Sequence, residues 1–361
     1  STPSNSSAAS DVYKRQVDLQ GMVTADGLLD DAIHGTGKLT NVNPRWTVTK
    51  GGTDNFSGTT KDATVLTNVR TALNVIYTPS NSNYNGVNGY IDLTLQDVTT
   101  LPKQNTGTGA LEKYHQLRSV ELSAATSIGE KAFYYCEALT TASMPKATSI
   151  GDYTFFNCAA LTTVNMPMAT SIGSGAFSAC YALTKVSMPK VTSIGNYGFS
   201  GCNALTTASM PQATSIGNDA FNNCKALTTV NILQATSIGN RAFSDCKTLT
   251  TASMPQATSI GSGAFYGCIA LQSLDISSVT KIEKLGTDYG SMFFPAFDNS
   301  TDPETFKNCD LLLNSALKQY CYDTDGTSQN GPLVNLKIPT KINSSDETDS
   351  YTFTFRSITF K

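Results

Sequence analysis

Apolar and polar positions recur along this chain with a period of 22 residues. Phenylalanine stands at Phe133, Phe155, Phe177, Phe199, Phe221, Phe243 and Phe265, and cysteine three places later from Cys136 to Cys268. A fixed period in the twenties marks a stacked-repeat solenoid, whose units bury their apolar faces only against their neighbours. Within a repeat, Leu139-Thr140-Thr141-Ala142-Ser143-Met144-Pro145 alternates and predicts one short strand of a parallel sheet. Leu139, Ala142 and Met144 point inward, Thr141 and Ser143 outward, and Pro145 ends the strand because it cannot donate to a ladder. The stretch from Ile150 to Leu161 predicts a glycine turn and a short helical or 3₁₀ leg carrying Phe155 and Cys158. The glycine after each isoleucine (Gly129, Gly151, Gly173, Gly195, Gly217, Gly239, Gly261) predicts a φ that only glycine adopts cheaply.

The pattern fades at both ends. Subtracting one period from Phe133, Cys136, Leu139, Ala142 and Met144 lands on Leu111, Tyr114, Leu117, Val120 and Leu122, a degenerate first repeat. The solenoid is therefore expected over residues 90–314, with Tyr90–Leu95 as its first clear strand. Residues 17–89 read as a small α+β N-terminal cap. They hold loose strands near Val17–Val23 and Trp46–Thr49, and an amphipathic helix between Thr64 and Tyr77. Phe306 and Cys309 restore the Phe-to-Cys spacing 41 residues after Phe265, one repeat plus a 19-residue insertion near 284–302. Residues 315–361 read as a β-rich C-terminal cap built on strands near Leu333–Ile338 and Tyr351–Phe355. The fold class expected is an α/β solenoid with short parallel strands.

Composition narrows the function. The net charge is −3 and only 15% of residues are charged, so no basic footprint for nucleic acid exists. No apolar run reaches the 18 residues of a membrane-spanning helix. Asp11–Gln16 resembles the translation of a sequencing-library adapter, so residues 1–16 are read as a non-native or disordered leader that says nothing about compartment. Of the nine cysteines, seven keep the repeat register, Cys309 extends it and Cys321 lies outside it. A regular column of small thiols reads as buried, unpaired core.

The repeat Leu-xx-Ala/Val-x-Met-Pro-x-Ala-Thr-Ser-Ile-Gly-xx-Ala-Phe-xx-Cys, over about Tyr90 to Asn314, resembles the BspA-like leucine-rich repeat. The sixth repeat departs from it, with Ile232-Leu233 in place of Met-Pro. The resemblance implies a bacterial surface or secreted protein, often a lipoprotein, that adheres to or binds host or bacterial partners. It carries over no catalytic residue, cofactor or metal ligand.

The candidate contact positions are those that vary between the scaffold residues. One outward strand column reads Thr141, Thr163, Lys185, Thr207, Thr229 and Thr251, with almost nothing that titrates near neutral pH and no acid–base pair. The aromatics Tyr134, Tyr135, Phe156, Tyr181 and Tyr266 stand beside the Phe/Cys core and suit a protein or a sugar. The insertion gathers Met292, Phe293 and Phe294. The expected function is non-enzymatic: a cell-surface or secreted binding module for a protein partner, with membrane contact only through a lost lipid anchor. The alternatives are a glycan-binding protein of a nutrient-capture system and a hydrolase using paired carboxylates among Asp18, Asp26, Asp30 and Asp31. Gly35–Lys38 lacks the rest of a phosphate-binding loop, Asp323–Gly326 the rest of a calcium loop, and His34 and His115 have no partner at a metal-binding spacing.

Overall fold

The computed structural model describes residues 14–18, 45–50, 90–95, 98–101, 110–115, 117–261, 263–279, 309–313, 335–339, 350–354 and 357–361. The chain divides into two compact units, Ser1–Met166 and Pro167–Lys361. The expected helix at 64–77 and the insertion at 284–302 lie outside the described residues.

In the first unit, Lys14–Asp18, Arg45–Lys50, Tyr90–Leu95, Leu117–Leu122, Thr141–Ser143 and Thr163–Asn165 form one parallel sheet in that order. Its first strand begins at Lys14, inside the segment that the sequence sets aside as a leader. In the second unit the parallel order is Lys185–Ser187, Thr207–Ser209, Thr229–Asn231, Thr251–Ser253, Ser273–Ile276, Asp310–Leu313 and Ser357–Phe360. Alternation places Ala142, Val186, Ala208, Ala252 and Leu274 in the core, each 3% exposed or less. The degenerate first repeat obeys the same rule, since Leu111, Tyr114, Leu117, Val120 and Leu122 are all buried. Asn335–Pro339 pairs antiparallel with Ser350–Thr354, close to the two C-terminal strands expected.

Among the described residues the repeats also carry a second, two-residue strand that the alternation does not reveal. In the first unit these are Thr100–Leu101, Ser127–Ile128 and Ser149–Ile150; in the second they run from Ser171–Ile172 to Ser259–Ile260. Beside it, threonine binds the previous turn twice. Thr148 donates both its N–H (2.8 Å) and its hydroxyl (3.1 Å) to the Thr126 carbonyl, and Thr214 and Thr236 repeat this one turn apart. These hydroxyls are spent within the scaffold.

The leg with Phe and Cys is a chain of turns, and no helix occurs among the described residues. Its i→i+3 bonds (Tyr134 N–H to the Lys131 carbonyl, Cys136 N–H to that of Phe133) have the 3₁₀ spacing. Two residues per repeat with positive φ interrupt them. One column is Lys131, Tyr153, Gly175, Tyr197, Asp219, Arg241 and Gly263; the other, four places on, is Lys113, Tyr135, Asn157, Ala179, Gly201, Asn223, Asp245 and Gly267. This backbone turns alternate N–H groups toward the next repeat. Lys131, Phe133 and Tyr135 donate to the carbonyls of Asp152, Thr154 and Phe156 at 2.8–2.9 Å, and Tyr197, Phe199 and Gly201 to those of Asn218, Ala220 and Asn222.

The glycine after each isoleucine has a different cause from the one expected. None of these glycines has a positive φ. Instead, a Cβ on Gly151 would lie 2.6 Å from the Glu130 nitrogen, and one on Gly217 2.6 Å from both the Asn196 nitrogen and the Gly195 carbonyl carbon. Successive turns meet backbone to backbone here, and hydrogen is the only side chain that fits.

Inside, the phenylalanine rings stack in register. Phe133 and Phe155 lie 5.2 Å apart at 9°, and the rings from Phe177 to Phe265 follow at 5.1–5.6 Å and 2–9°. Eight cysteines, Cys136 to Cys268 and Cys309, are buried free thiols. In-register thiols have fixed acceptors three residues before the previous cysteine: Cys158 Sγ donates to the Phe133 carbonyl (3.1 Å) and Cys224 to that of Phe199 (3.2 Å). Burial pushes the Cys136 and Cys202 thiols up to about 12.

Candidate functional site

The strand face can be followed in each unit. Thr141 and Thr163 are register partners in the first. In the second, Lys185, Thr207, Thr229, Thr251, Ser273, Asp310 and Ser357 form one row. All the candidate threonines and Lys185 are exposed except Thr207, which is half-buried. Beside them Asn165 Nδ2 donates to Ser143 Oγ (3.2 Å) and Asn231 Nδ2 to Ser209 Oγ (3.4 Å). Toward the C-terminal end Ser357 Oγ donates to Asp310 Oδ1 (2.7 Å) and Lys361 Nζ lies 3.9 Å from Asp275 Oδ2. Among the described residues no group of three metal-ligating side chains forms. The row offers hydroxyls, the Lys185 ammonium and the Asp310 carboxylate, with the Asn165 and Asn231 amides beside it.

The turn leg of the first unit is different. Tyr134 stacks on Phe156 (5.2 Å, 18°), Tyr135 tilts against both at 4.5 and 5.6 Å, and Tyr153 meets Phe156 edge-on at 5.9 Å. Lys131 Nζ sits 5.9 Å from the Tyr134 ring centre. Burial raises the Tyr134 phenol above 10.0, with Tyr135 and then Glu112 adding to the effect. Tyr153 is 37% exposed and the other three rings are half-buried. Tyr135 and Tyr153 occupy the two positive-φ columns, at +59° and +54°. A bulky residue there costs about 1–2 kcal/mol that glycine would not. Sequence reasoning grouped Tyr134, Tyr135 and Phe156 but missed Tyr153. The available signal was that Gly, Asn and Asp fill the same two columns in other repeats.

The remaining candidates do not join this cluster. Tyr181 and Tyr266 belong to the second unit, four repeats apart. Tyr181 is 47% exposed and lies over Gly201, whereas Tyr266 is half-buried. Met292, Phe293 and Phe294 lie outside the described residues, as do Asp26, Asp30 and Asp31; Asp18 ends the strand Lys14–Asp18. His115 Nδ1 lies 3.6 Å from Glu137 Oε2 in the next repeat.

The family model for the BspA type leucine-rich repeat region matches this chain in overlapping stretches at residues 70–183, 126–250, 170–289, 214–314 and 236–358. Among solved structures, a leucine-rich repeat protein from Bacteroides ovatus is 22% identical, with 67% of this chain and 77% of that one covered and a TM-score of 0.41. The T. pallidum leucine-rich repeat protein is 24% identical over 50% of this chain and 78% of that one, at a TM-score of 0.38. A leucine-rich cell surface protein from Faecalibacterium prausnitzii is 23% identical over 55% and 76%, at 0.28. No curated protein matches the chain.

Proposed function

The chain belongs to the BspA type leucine-rich repeat family, and from that membership we propose that it is a non-catalytic module that adheres to a protein partner at a cell surface or outside the cell. Proteins of this family are surface or secreted proteins of bacteria. Among the described residues no helix is long and apolar enough to cross a membrane. The observation that carries the proposal is the aromatic cluster of Tyr134, Tyr135, Tyr153 and Phe156. Two of its rings stand on backbone that glycine would adopt more cheaply, and the four rings together form an aromatic patch that a partner could cover. A protein suits the cluster better than a sugar does. Phe156 takes one face of Tyr134 and the Lys131 ammonium approaches the ring, so the cluster presents edges and hydroxyls to the outside. Half-buried tyrosines ringed by charge are typical anchors of protein interfaces.

The test is a double variant, Tyr135→Gly with Tyr153→Gly. Glycine adopts both φ values freely, so the rings leave and the repeat stays folded. The intact protein is offered to immobilised host matrix and bacterial surface proteins and, in parallel, to a glycan array. Saturable binding to a protein, weakened at least about tenfold in the variant, is expected. Binding to glycans alone, or protein binding that the variant leaves intact, overturns the proposal.

A further inference from the structure

Inside the second unit, the junction between the strands Thr229–Asn231 and Thr251–Ser253 differs from its neighbours. At each flanking junction three residue pairs hold the register, Thr207–Ser209 against Thr229–Asn231 and Thr251–Ser253 against Ser273–Asp275. Here only Thr229 and Thr251 are partners. Val230, the inward residue of its strand, is half-buried, whereas Val186, Ala208 and Ala252 of the same row are 3% exposed or less. Asn231 Oδ1 is buried and, among the described residues, accepts no hydrogen bond. Three departures from the repeat meet at this place. Asparagine stands at 231 where Ser187, Ser209 and Ser253 stand in nearby repeats, Ile232-Leu233 replaces Met-Pro, and Thr248 replaces the alanine of Ala182, Ala204, Ala226 and Ala270. Asn231 Nδ2 reaches back to Ser209 Oγ at 3.4 Å, which draws its strand toward the preceding repeat. Thr248 Oγ1 reaches the carbonyls of Lys225 (2.9 Å) and Leu227 (3.1 Å), so the turn leading into Thr251 is anchored while the strand beyond it is not. Valine is not the cause, since Lys185-Val186-Ser187 also carries one and keeps three partners in Thr207–Ser209. The rest of the junction is closed. Ser237 and Ile238 pair with Ser259 and Ile260, the Thr258 N–H donates to the Thr236 carbonyl at 2.9 Å, and the Phe221 and Phe243 rings stack at 5.3 Å and 5°.

We propose that Asn231 makes this junction a hinge: the strand row parts between Thr229–Asn231 and Thr251–Ser253, while the Ser-Ile row and the stacked rings stay closed and serve as its axis. In a repeat array each interface contributes its own share of stability, so inside the stack the interface with the fewest pairs is the one that opens. A buried amide oxygen without a donor adds to this, because opening lets water reach it. The motion separates the exposed Thr229 and Thr251 side chains and lengthens the strand face, without parting the phenylalanine stack.

Asn231→Ser supplies the test, because it restores the Val-Ser pair of Val186-Ser187 and keeps the fold. Amide exchange of the full chain is read at Ile232 and Thr250. Their counterparts at the flanking junctions are Met210, which donates to the Asn231 carbonyl (2.9 Å), Thr228 to that of Thr206 (3.0 Å), Met254 to that of Asp275 (2.8 Å) and Gln272 to that of Thr250 (2.8 Å). Ile232 and Thr250 are expected to exchange at least about tenfold faster than these four, and Asn231→Ser to remove the difference. Motion is read separately, from pairs of spin labels in a Cys321→Ser background. Labels at Lys185→Cys and Thr251→Cys span the junction on the strand row, and labels at Lys190→Cys and Gln256→Cys span it beside the Ser-Ile row. All four positions are exposed, and each pair is three repeats, or about 15 Å, apart. The strand-row pair is expected to give a distance distribution at least about twice as broad as the other, narrowed by Asn231→Ser. Equal widths overturn the proposal even where exchange is fast, since the junction is then a fixed gap. Protection of Ile232 and Thr250 equal to that of the flanking amides overturns it, as does fast exchange that persists in Asn231→Ser.

Discussion

Gly217 and Gly201 stand in different columns of the repeat and should respond to substitution for different reasons. At Gly217 the backbone φ is ordinary and space is missing. An added Cβ falls 2.6 Å from two backbone atoms of the preceding turn, roughly 1 Å inside ordinary contact. That turn cannot yield alone, because the Gly217 N–H donates to the Ile194 carbonyl at 2.9 Å and Ile216 pairs with Ile194. Gly217→Ala therefore costs an overpacking penalty of about 1–3 kcal/mol. Two displaced inter-repeat hydrogen bonds add about 1 kcal/mol each, which brings the sum to about 3–5 kcal/mol. At Gly201 the nearest heavy atom to an added Cβ is 3.7 Å away and φ is +75°. Gly201→Ala costs only the left-handed penalty of about 1–2 kcal/mol, and Gly201→Asn less, because asparagine visits that region readily. Guanidinium unfolding followed by circular dichroism gives all three values, and Gly217→Asn serves as a fourth point. If asparagine is tolerated equally at 201 and 217, or if Gly217→Ala is no worse than Gly201→Ala, the distinction between space and φ is wrong.

Three further outcomes can be measured. Ala179 sits at φ +60°, so Ala179→Gly should stabilise the second unit by about 0.5–1 kcal/mol in the same assay, against the usual penalty for glycine. Burial holds the Cys136 and Cys202 thiols near 12 against an ordinary 9.0. The unfolded chain ionises first, so stability that is complete below pH 9 falls as pH climbs toward 12. Cys202→Ala should shallow that alkaline slope, and in a Cys321→Ser background a thiol reagent should react only as the protein unfolds. Asn218 takes the Asn240 N–H on its Oδ1 at 2.8 Å and donates its own N–H to Asn196 Oδ1 at the same distance. Asn218→Ala leaves one of these amides without its acceptor and should cost about 1 kcal/mol in chemical denaturation.

What the sequence disclosed, and what it hid, follows from how narrowly each position is constrained. Phe, Cys, Ile and the strand's Leu were legible because one shape fills each core site, and a stack of identical turns demands that shape every 22 residues. The inward and outward alternation was legible for the same reason. The second strand was not, because Ser-Ile is too short to alternate. The positive-φ columns were hidden because bonds to the next repeat impose the backbone, and the residue only sets the cost. Lys, Tyr, Asp, Arg and Gly all stand in one such column. That contrast also explains why the glycine after isoleucine was misread. A φ requirement tolerates asparagine, aspartate and even tyrosine at some expense, as Tyr153 and Asn157 show, whereas a missing 1 Å tolerates nothing. A glycine that never varies among the repeats therefore signals contact, and a glycine that alternates with Asn, Asp or Tyr signals φ. By that rule the positive-φ columns are positions whose residue type the scaffold lets vary. Tyr135 and Tyr153 stand there where glycine would be easier, and they lie together in the one aromatic cluster on the described surface of the first unit.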